Sequence, residues 1–306
     1  MTDTLRHRVG ATLAKREKED SMKIIRAEHL GMCFGVRDAI AMARHEAAAG
    51  PLTVLGELVH NETVLDDLRA RGVRFERNAG DVQTDTAMIT AHGASERAIG
   101  AARAAGLRLT EATCPLVHFA HRSLLRLVEA GYHPVVIGRP GHVEVRGLTE
   151  DLTEVDVVPD EAGIMALQPR AAFGVVAQTT QPVDRVRRLV ALLREFFPES
   201  RVQFIDTVCK PTKQRQTAAV ALAQRSDVVI VVGGANSNNT RELAQTCGRF
   251  CDHVYHVQSA AEVCGEWLAG ATTVGLTAGT STPDELIDGV EARLRELAAE
   301  MAMAAA

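Results

Sequence analysis

Aromatic residues make up only 4% of this 306-residue chain: eight phenylalanines, two tyrosines and one tryptophan. That is a poor supply for a platform on which nucleic-acid bases stack. Basic residues are also in slight deficit, with 34 lysines and arginines against 39 acidic residues and a formal net charge of −5. The electrostatic footprint of a nucleic-acid binder is therefore missing. No apolar run approaches the roughly 20 residues of a membrane span. The longest, around Val228–Val232, is strand-sized and stops at Gly233-Gly234. No Gly-x-Gly-x-x-Gly and no Gly-x4-Gly-Lys-Ser/Thr occurs, so direct binding of a nicotinamide or flavin dinucleotide through a Rossmann fingerprint is unsupported. Residues 1–21 contain Lys15-Arg-Glu-Lys-Glu-Asp20 and no apolar core segment. They read as a flexible leader rather than a secretory or transit signal, with the folded part starting near Met22.

What is present fits a soluble globular protein of two or three domains: 46% hydrophobic and 24% charged residues. A short β-branched run that ends in small and polar residues, followed by an amphipathic helix, recurs along the chain. Examples are Ala87–Ser95, Pro134–Gly138, Phe173–Pro182, Val228–Asn239 and Thr273–Pro283. This alternation predicts β-α repeats and parallel sheets, and the fully apolar runs suit strands covered on both faces. Helical periodicity marks Val183–Phe196 and Glu285–Met301, and Thr282-Pro283-Asp284-Glu285 predicts a capping box. In such sheets ligands bind off the carboxyl ends of the strands, and the chemically interesting residues fall there.

Six cysteines without a secretory signal argue against a disulfide framework and for the reducing cytoplasm. Three of them sit where a strand run ends and a helix begins: Cys33 in Leu30-Gly-Met-Cys-Phe-Gly35, Cys114 in Glu111-Ala-Thr-Cys-Pro115, and Cys209 in Asp206-Thr-Val-Cys-Lys-Pro-Thr212. Their wide spacing is unlike a local zinc site. Each is either a small buried hydrophobe, or one of three thiolates brought to a common point by three similar units. Three thiolates can hold a cubane iron–sulfur cluster and leave one iron without a protein ligand. Helix starts favour thiolate over thiol. Cys247, Cys251 and Cys264 read as ordinary core or surface residues.

His60, His92 and His142 occupy comparable strand tips beside small residues. They are joined by Asn61, Thr179-Thr180, Ser237-Asn238-Asn239 and Thr280-Ser281-Thr282. Singly, each hydroxyl or amide could merely cap a helix. Together they offer the uncharged donors and helix N-termini that bind phosphate or diphosphate without lysines. Glu144 is the one acid in the set. It either supplies protons or pairs with Arg146 or Arg139. Its spacing of two from His142 would put both side chains on one side of an extended segment.

Nine motifs in order carry a resemblance: Gly31-Met-Cys-Phe-Gly-Val36, Val59-His-Asn61, Ala91-His-Gly93, Ala112-Thr-Cys-Pro-Leu-Val117, Gly141-His-x-Glu144, Gln178-Thr-Thr180, Asp206-Thr-Val-Cys209 with Arg215-Gln216, Asn236-Ser-x-Asn239, and Thr277-Ala-Gly-x-Ser-x-Pro283. From about Met22 to Leu297 the chain resembles the 4-hydroxy-3-methylbut-2-enyl diphosphate reductase (LytB/IspH) family. The resemblance implies an α/β fold of three similar units with small parallel sheets around a pseudo-threefold axis and a central cluster site. The units would span 35–114, 115–208 and 209–300, the last with an N-terminal strand from 22–34. It implies a [4Fe-4S] cluster on Cys33, Cys114 and Cys209. His60, His92, His142, Ser237, Asn239 and Ser281 would bind the diphosphate, with Asn238 contributing backbone or side chain. Glu144 would relay protons, Thr179 would hydrogen-bond Glu144 and the substrate hydroxyl, and Thr180 would support that network. The implied reaction is reductive dehydroxylation of the allylic diphosphate to isopentenyl and dimethylallyl diphosphate, the last step of the non-mevalonate isoprenoid route. Electrons would come from an external ferredoxin- or flavodoxin-type protein, in the cytoplasm, without nucleic acid or membrane. Val143 stands where many members carry proline. Two alternatives are a cluster-dependent lyase or synthase, which would want arginines to grip carboxylates, and a cluster-based sensor, which would not need Glu144 and Thr179.

Overall fold

The computed structural model describes residues 22–305; the expected leader at 1–21 lies outside the described residues. The strands are β1 (Lys23–Arg26), β2 (Leu52–Leu55), β3 (Arg74–Glu76), β4 (Thr86–Ile89), β5 (Arg108–Glu111), β6 (His133–Ile137), β7 (Asp156–Val158), β8 (Ala172–Ala177), β9 (Arg201–Phe204), β10 (Val228–Val232), β11 (Val254–Val257) and β12 (Thr273–Ala278). They form three four-stranded sheets, ordered β3-β2-β4-β5, β7-β6-β8-β9 and β11-β10-β12-β1. Every pairing is parallel. The three orders are one topology written three times: second strand, first, third, fourth. In the last sheet β1, the first strand of the chain, takes the fourth place beside β12.

Burial follows position in the sheet. The inner strands β4, β8 and β10 are buried along their whole length, whereas the edge strands β1, β5 and β9 hold only exposed and half-buried residues. Period-2 alternation sends successive side chains to opposite faces. Val135 and Val175 meet Leu189 and Leu193 of the Val183–Phe196 helix, while Val136 and Val176 meet Leu124 and Leu127 of the Pro115–Glu129 helix. Likewise Ile230 packs toward Val290 and Leu294, and Val229 and Val231 toward Leu243 and Cys247. Each such side chain contributes about 1.5–3 kcal/mol of burial, which is why short strands suffice. Among the described residues no helix is long and apolar enough to cross a membrane.

The last helix spans Asp284–Ala305. Among the described residues no Thr282–Glu285 capping-box bond is made; the Thr282 hydroxyl donates to the Val232 carbonyl (3.0 Å) at the end of β10, which orients the side chain toward the sheet.

Candidate active site

The repeated topology determines which residues meet. The first and third strands of each unit lie side by side in the sheet, and the strand order reverses between them, which is where ligands bind in open parallel sheets. His60 and His92 follow β2 and β4, His142 and Thr179 follow β6 and β8, and Ser237 and Ser281 follow β10 and β12. The cysteines follow the fourth strands: Cys114 after β5, Cys209 after β9 and Cys33 after β1.

His60, His92, His142, Glu144, Thr180, Ser237, Asn238, Asn239 and Ser281 line one cavity, with Val36, Val59 and Thr280 completing the wall. The three imidazoles touch one another, with ring centroids 4.5 Å (His60–His92), 5.3 Å (His60–His142) and 5.7 Å (His92–His142) apart. His60 Nε2, His92 Nδ1 and Asn238 Nδ2 are buried without a partner, so the cavity holds polar capacity that a ligand has to satisfy. The Glu144 backbone N–H donates to His142 Nδ1 (3.1 Å), which places the proton of the neutral ring on Nε2. Asn239 Oδ1 accepts from the Thr280 N–H (2.9 Å), leaving its amide nitrogen as the free end. The Ser237 side chain caps the Asn238–Cys247 helix by accepting from the Thr240 N–H, and the Ser281 hydroxyl reaches the His60 carbonyl (3.3 Å). A Cβ at Gly234 would lie 2.6 Å from that same carbonyl, so only glycine lets the first and third units approach this closely.

Burial, then the neighbouring His60, holds His142 down to about 3 and His92 well below its usual value. Both rings are neutral in the free protein at pH 7. Glu144 shows the opposite response. It is 1% exposed, and burial raises it to about 7 despite the bonds it accepts from Thr179. The Thr179 N–H donates to Glu144 Oε1 (2.6 Å) and the Thr179 hydroxyl to Oε2 (3.0 Å). A backbone N–H can only donate, so in the protonated acid the proton rides on Oε2, toward the Thr179 hydroxyl. Among the described residues Glu144 pairs with neither Arg146 nor Arg139; Arg146 binds Glu150 instead. Nor is the segment extended: His142 is the N-cap, and Glu144 lies in the first turn, of the Val143–Thr149 helix.

Cys33, Cys114 and Cys209 are N-caps of the Phe34–Ala49, Pro115–Glu129 and Lys210–Ala223 helices. No first turn among these three helices carries an acid, and no side chain caps them. Three helix N-termini thus present unopposed partial positive charge beside the sulfurs. The cysteines also sense one another: Cys33 and Glu144 raise both Cys114 and Cys209, after burial, and Cys209 reaches about 11. A Cβ added at Gly35 would lie 2.6 Å from Cys114 Sγ, so the first helix is cut back to admit that sulfur. Among the described residues no three His, Cys, Asp or Glu side chains close on a single ion. A cubane asks for something different, since its thiolates bind separate irons and stand further apart. The donor set of three soft thiols, each at a helix N-terminus, fits an anionic iron–sulfur group.

Sequence reading gave no role to several residues that shape the site. Gln178 accepts from the Arg139 N–H (3.1 Å) and donates to Thr180 Oγ1 (3.1 Å), tying the His142 loop to the Thr179 loop. Glu57 bonds His60 Nδ1 (3.0 Å); the three-residue spacing was the available signal. Val36 and Val59 lay inside recognised motifs as unremarked apolar positions. His133 bonds Asp156 and His256 bonds the Gly233 carbonyl, and neither lines the cavity.

The sequence signature of the family described as LytB protein matches residues 24–295. A relative from Trichlorobacter lovleyi named 4-hydroxy-3-methylbut-2-enyl diphosphate reductase is 38% identical over 278 residues, covering 90% of this chain and 99% of its own. The solved E-1-hydroxy-2-methyl-but-2-enyl-4-diphosphate reductase of Plasmodium falciparum superposes with a TM-score of 0.83 at 26% identity, covering 88% of this chain and 86% of that one. A second solved structure, described as (E)-4-hydroxy-3-methyl-but-2-enyl diphosphate reductase, the terminal enzyme of the non-mevalonate pathway, gives 0.63 at 32% identity and covers 90% of this chain and 99% of that one. With the same three-sheet architecture and the signature spanning nearly all described residues, the chain belongs to the LytB protein family.

Proposed function

We propose that the chain is a 4-hydroxy-3-methylbut-2-enyl diphosphate reductase, which removes the allylic hydroxyl of its substrate with two electrons and two protons and releases isopentenyl and dimethylallyl diphosphate. The observation that carries this reading is the joining of two chemistries at one set of strand ends: a donor-rich cavity with orphaned imidazole nitrogens, and three helix-capping thiols beside one buried acid.

In this reading His60, His92, His142, Ser237, Asn238, Asn239 and Ser281 hold the diphosphate. His142 donates through Nε2, and anion binding draws protons onto the ring set. Anchoring the diphosphate places the far, hydroxylated end of the substrate toward Glu144 and Thr179, so binding energy at one end orients the other. Thr180 and Gln178 brace that corner. Burial keeps Glu144 protonated near neutral pH, and the acid delivers its proton from Oε2 through the Thr179 hydroxyl as the C–O bond breaks and water leaves. The second proton ends on carbon, at either end of the allyl system, which accounts for two products.

Cys33, Cys114 and Cys209 are the residues that would hold a [4Fe-4S] cluster. When bound, it supplies single electrons and a Lewis-acidic iron. The electrons would come from an external ferredoxin- or flavodoxin-type protein, since the sequence has no dinucleotide fingerprint. The three units divide at 114/115 and 208/209, with 22–34 belonging to the third, and the setting is cytoplasmic. Oxygen-free protein given a reducing dye should convert the hydroxylated diphosphate to both products; an intact cluster with no turnover would refute the assignment.

A further inference from the structure

One buried cation takes no part in the chemistry described so far. Arg215, on the Lys210–Ala223 helix, is only 8% exposed. Its Nε–H donates to the Gly31 carbonyl (2.8 Å) and its Nη1 to the Pro211 carbonyl (3.1 Å). Gly31 stands two residues before Cys33, and Pro211 lies in the first turn of Arg215's own helix, which Cys209 caps, so the guanidinium ties the Cys33 loop to the start of the Cys209 helix. Both acceptors are neutral. The titratable groups that act on Arg215 are Cys33, Cys209 and Arg37, with no carboxylate among them. Arg37 is itself engaged by Asp284.

A guanidinium taken out of water without a counter-charge is strongly unfavourable. If Arg215 served only to tie loops, a neutral donor could do it without that penalty. Its position makes sense when an anion sits between Cys33 and Cys209. We propose that Arg215 is the fixed counter-charge of the cysteine-bound iron–sulfur group, and that it makes that group easier to reduce. This rests on the functional reading above. Each added electron makes the group more negative by one, so a nearby fixed cation stabilises the reduced form more than the oxidised one. Arg215 lies within electrostatic reach of Cys33 and Cys209, and a charge-keeping replacement retains most of this effect even where the fork geometry is lost.

The test is a redox titration, followed by electron paramagnetic resonance, of oxygen-free wild-type protein beside Arg215→Lys and Arg215→Met. The expected result is an Arg215→Met potential more negative by at least a tenfold change in the one-electron equilibrium, about 59 mV, with Arg215→Lys within threefold of wild type. Equal potentials in wild type and Arg215→Met overturn the inference. Should Arg215→Met take up no iron while Arg215→Lys does, the charge is required for assembly and the inference stands. If neither variant takes up iron, the fork alone matters and the electrostatic claim falls. Iron-free wild-type protein would instead overturn the functional reading itself, so the two failures are distinguishable.

Discussion

Glu144 is the residue on which proton delivery turns. Burial raises it to about 7, and only its protonated form can act as an acid. Turnover should therefore be full below that value and fall as pH rises through it, measured as kcat/KM against pH under anaerobic conditions. Glu144→Gln keeps the shape and both Thr179 contacts but carries no labile acid proton; it should retain iron and diphosphate binding while losing turnover by about 10²–10⁴-fold. The histidines make a second case. His92 and His142 are neutral in the free protein because they are buried, and a diphosphate beside them favours the charged form. Binding of inorganic pyrophosphate at pH 7 should take up protons, seen by calorimetry in buffers of different ionisation enthalpy. At this scale the cysteines and histidines were legible in the sequence because each follows a strand signal. The partner of Glu144 was not, because Thr179 lies 35 positions away and meets it only through the adjacency of β6 and β8. Arg215 was visible as part of a motif, but its burial against Gly31 spans 184 positions and leaves no local trace.

The elements carry their own tests. Val143 is the first residue of the Val143–Thr149 helix, and the preceding His142 sits at φ −63°, ψ 139°, a conformation that proline tolerates before it. Proline at the first helical position gives up an N–H without a helical partner and restricts the unfolded chain. Val143→Pro should stabilise by about 0.4–1 kcal/mol in denaturant titration with activity retained. Gly35→Ala should do the reverse: its Cβ would press on Cys114 Sγ at 2.6 Å, so the variant should lose cluster retention at little cost elsewhere. Inner strands and the Val183–Phe196 helix were readable because their apolar runs and 3.6-residue period are unambiguous. The seven-residue helix that His142 caps and that carries Glu144 is not legible in the sequence, since about two turns give periodicity too little length to register. The Thr282 capping box is absent for a related reason: the side chain is oriented by a carbonyl 50 positions away, to which its hydroxyl donates.

For the whole molecule, one strand order used three times turns a distant set of residues into a single site, with fourth strands delivering sulfur and inner strands delivering the polar groups. Contacts between the units hold this arrangement. Asp151, beyond the Val143–Thr149 helix, accepts from the Glu96 and Arg97 N–H groups (2.6 and 3.0 Å) at the start of the Glu96–Ala104 helix. Asp151→Ala should cost about 1 kcal/mol by loss of a cap and of a charge at a helix N-terminus, and should weaken pyrophosphate binding through the shared His142 and His92 loops. The common destination of Cys33, Cys114 and Cys209 is the claim on which the account rests, and iron and acid-labile sulfide in oxygen-free protein test it most directly. The account predicts about four of each per chain in the wild type and loss of both in Cys33→Ser, Cys114→Ser and Cys209→Ser alike. Wild-type protein that reduces its substrate without iron, or cysteine variants that keep the full complement, would contradict it.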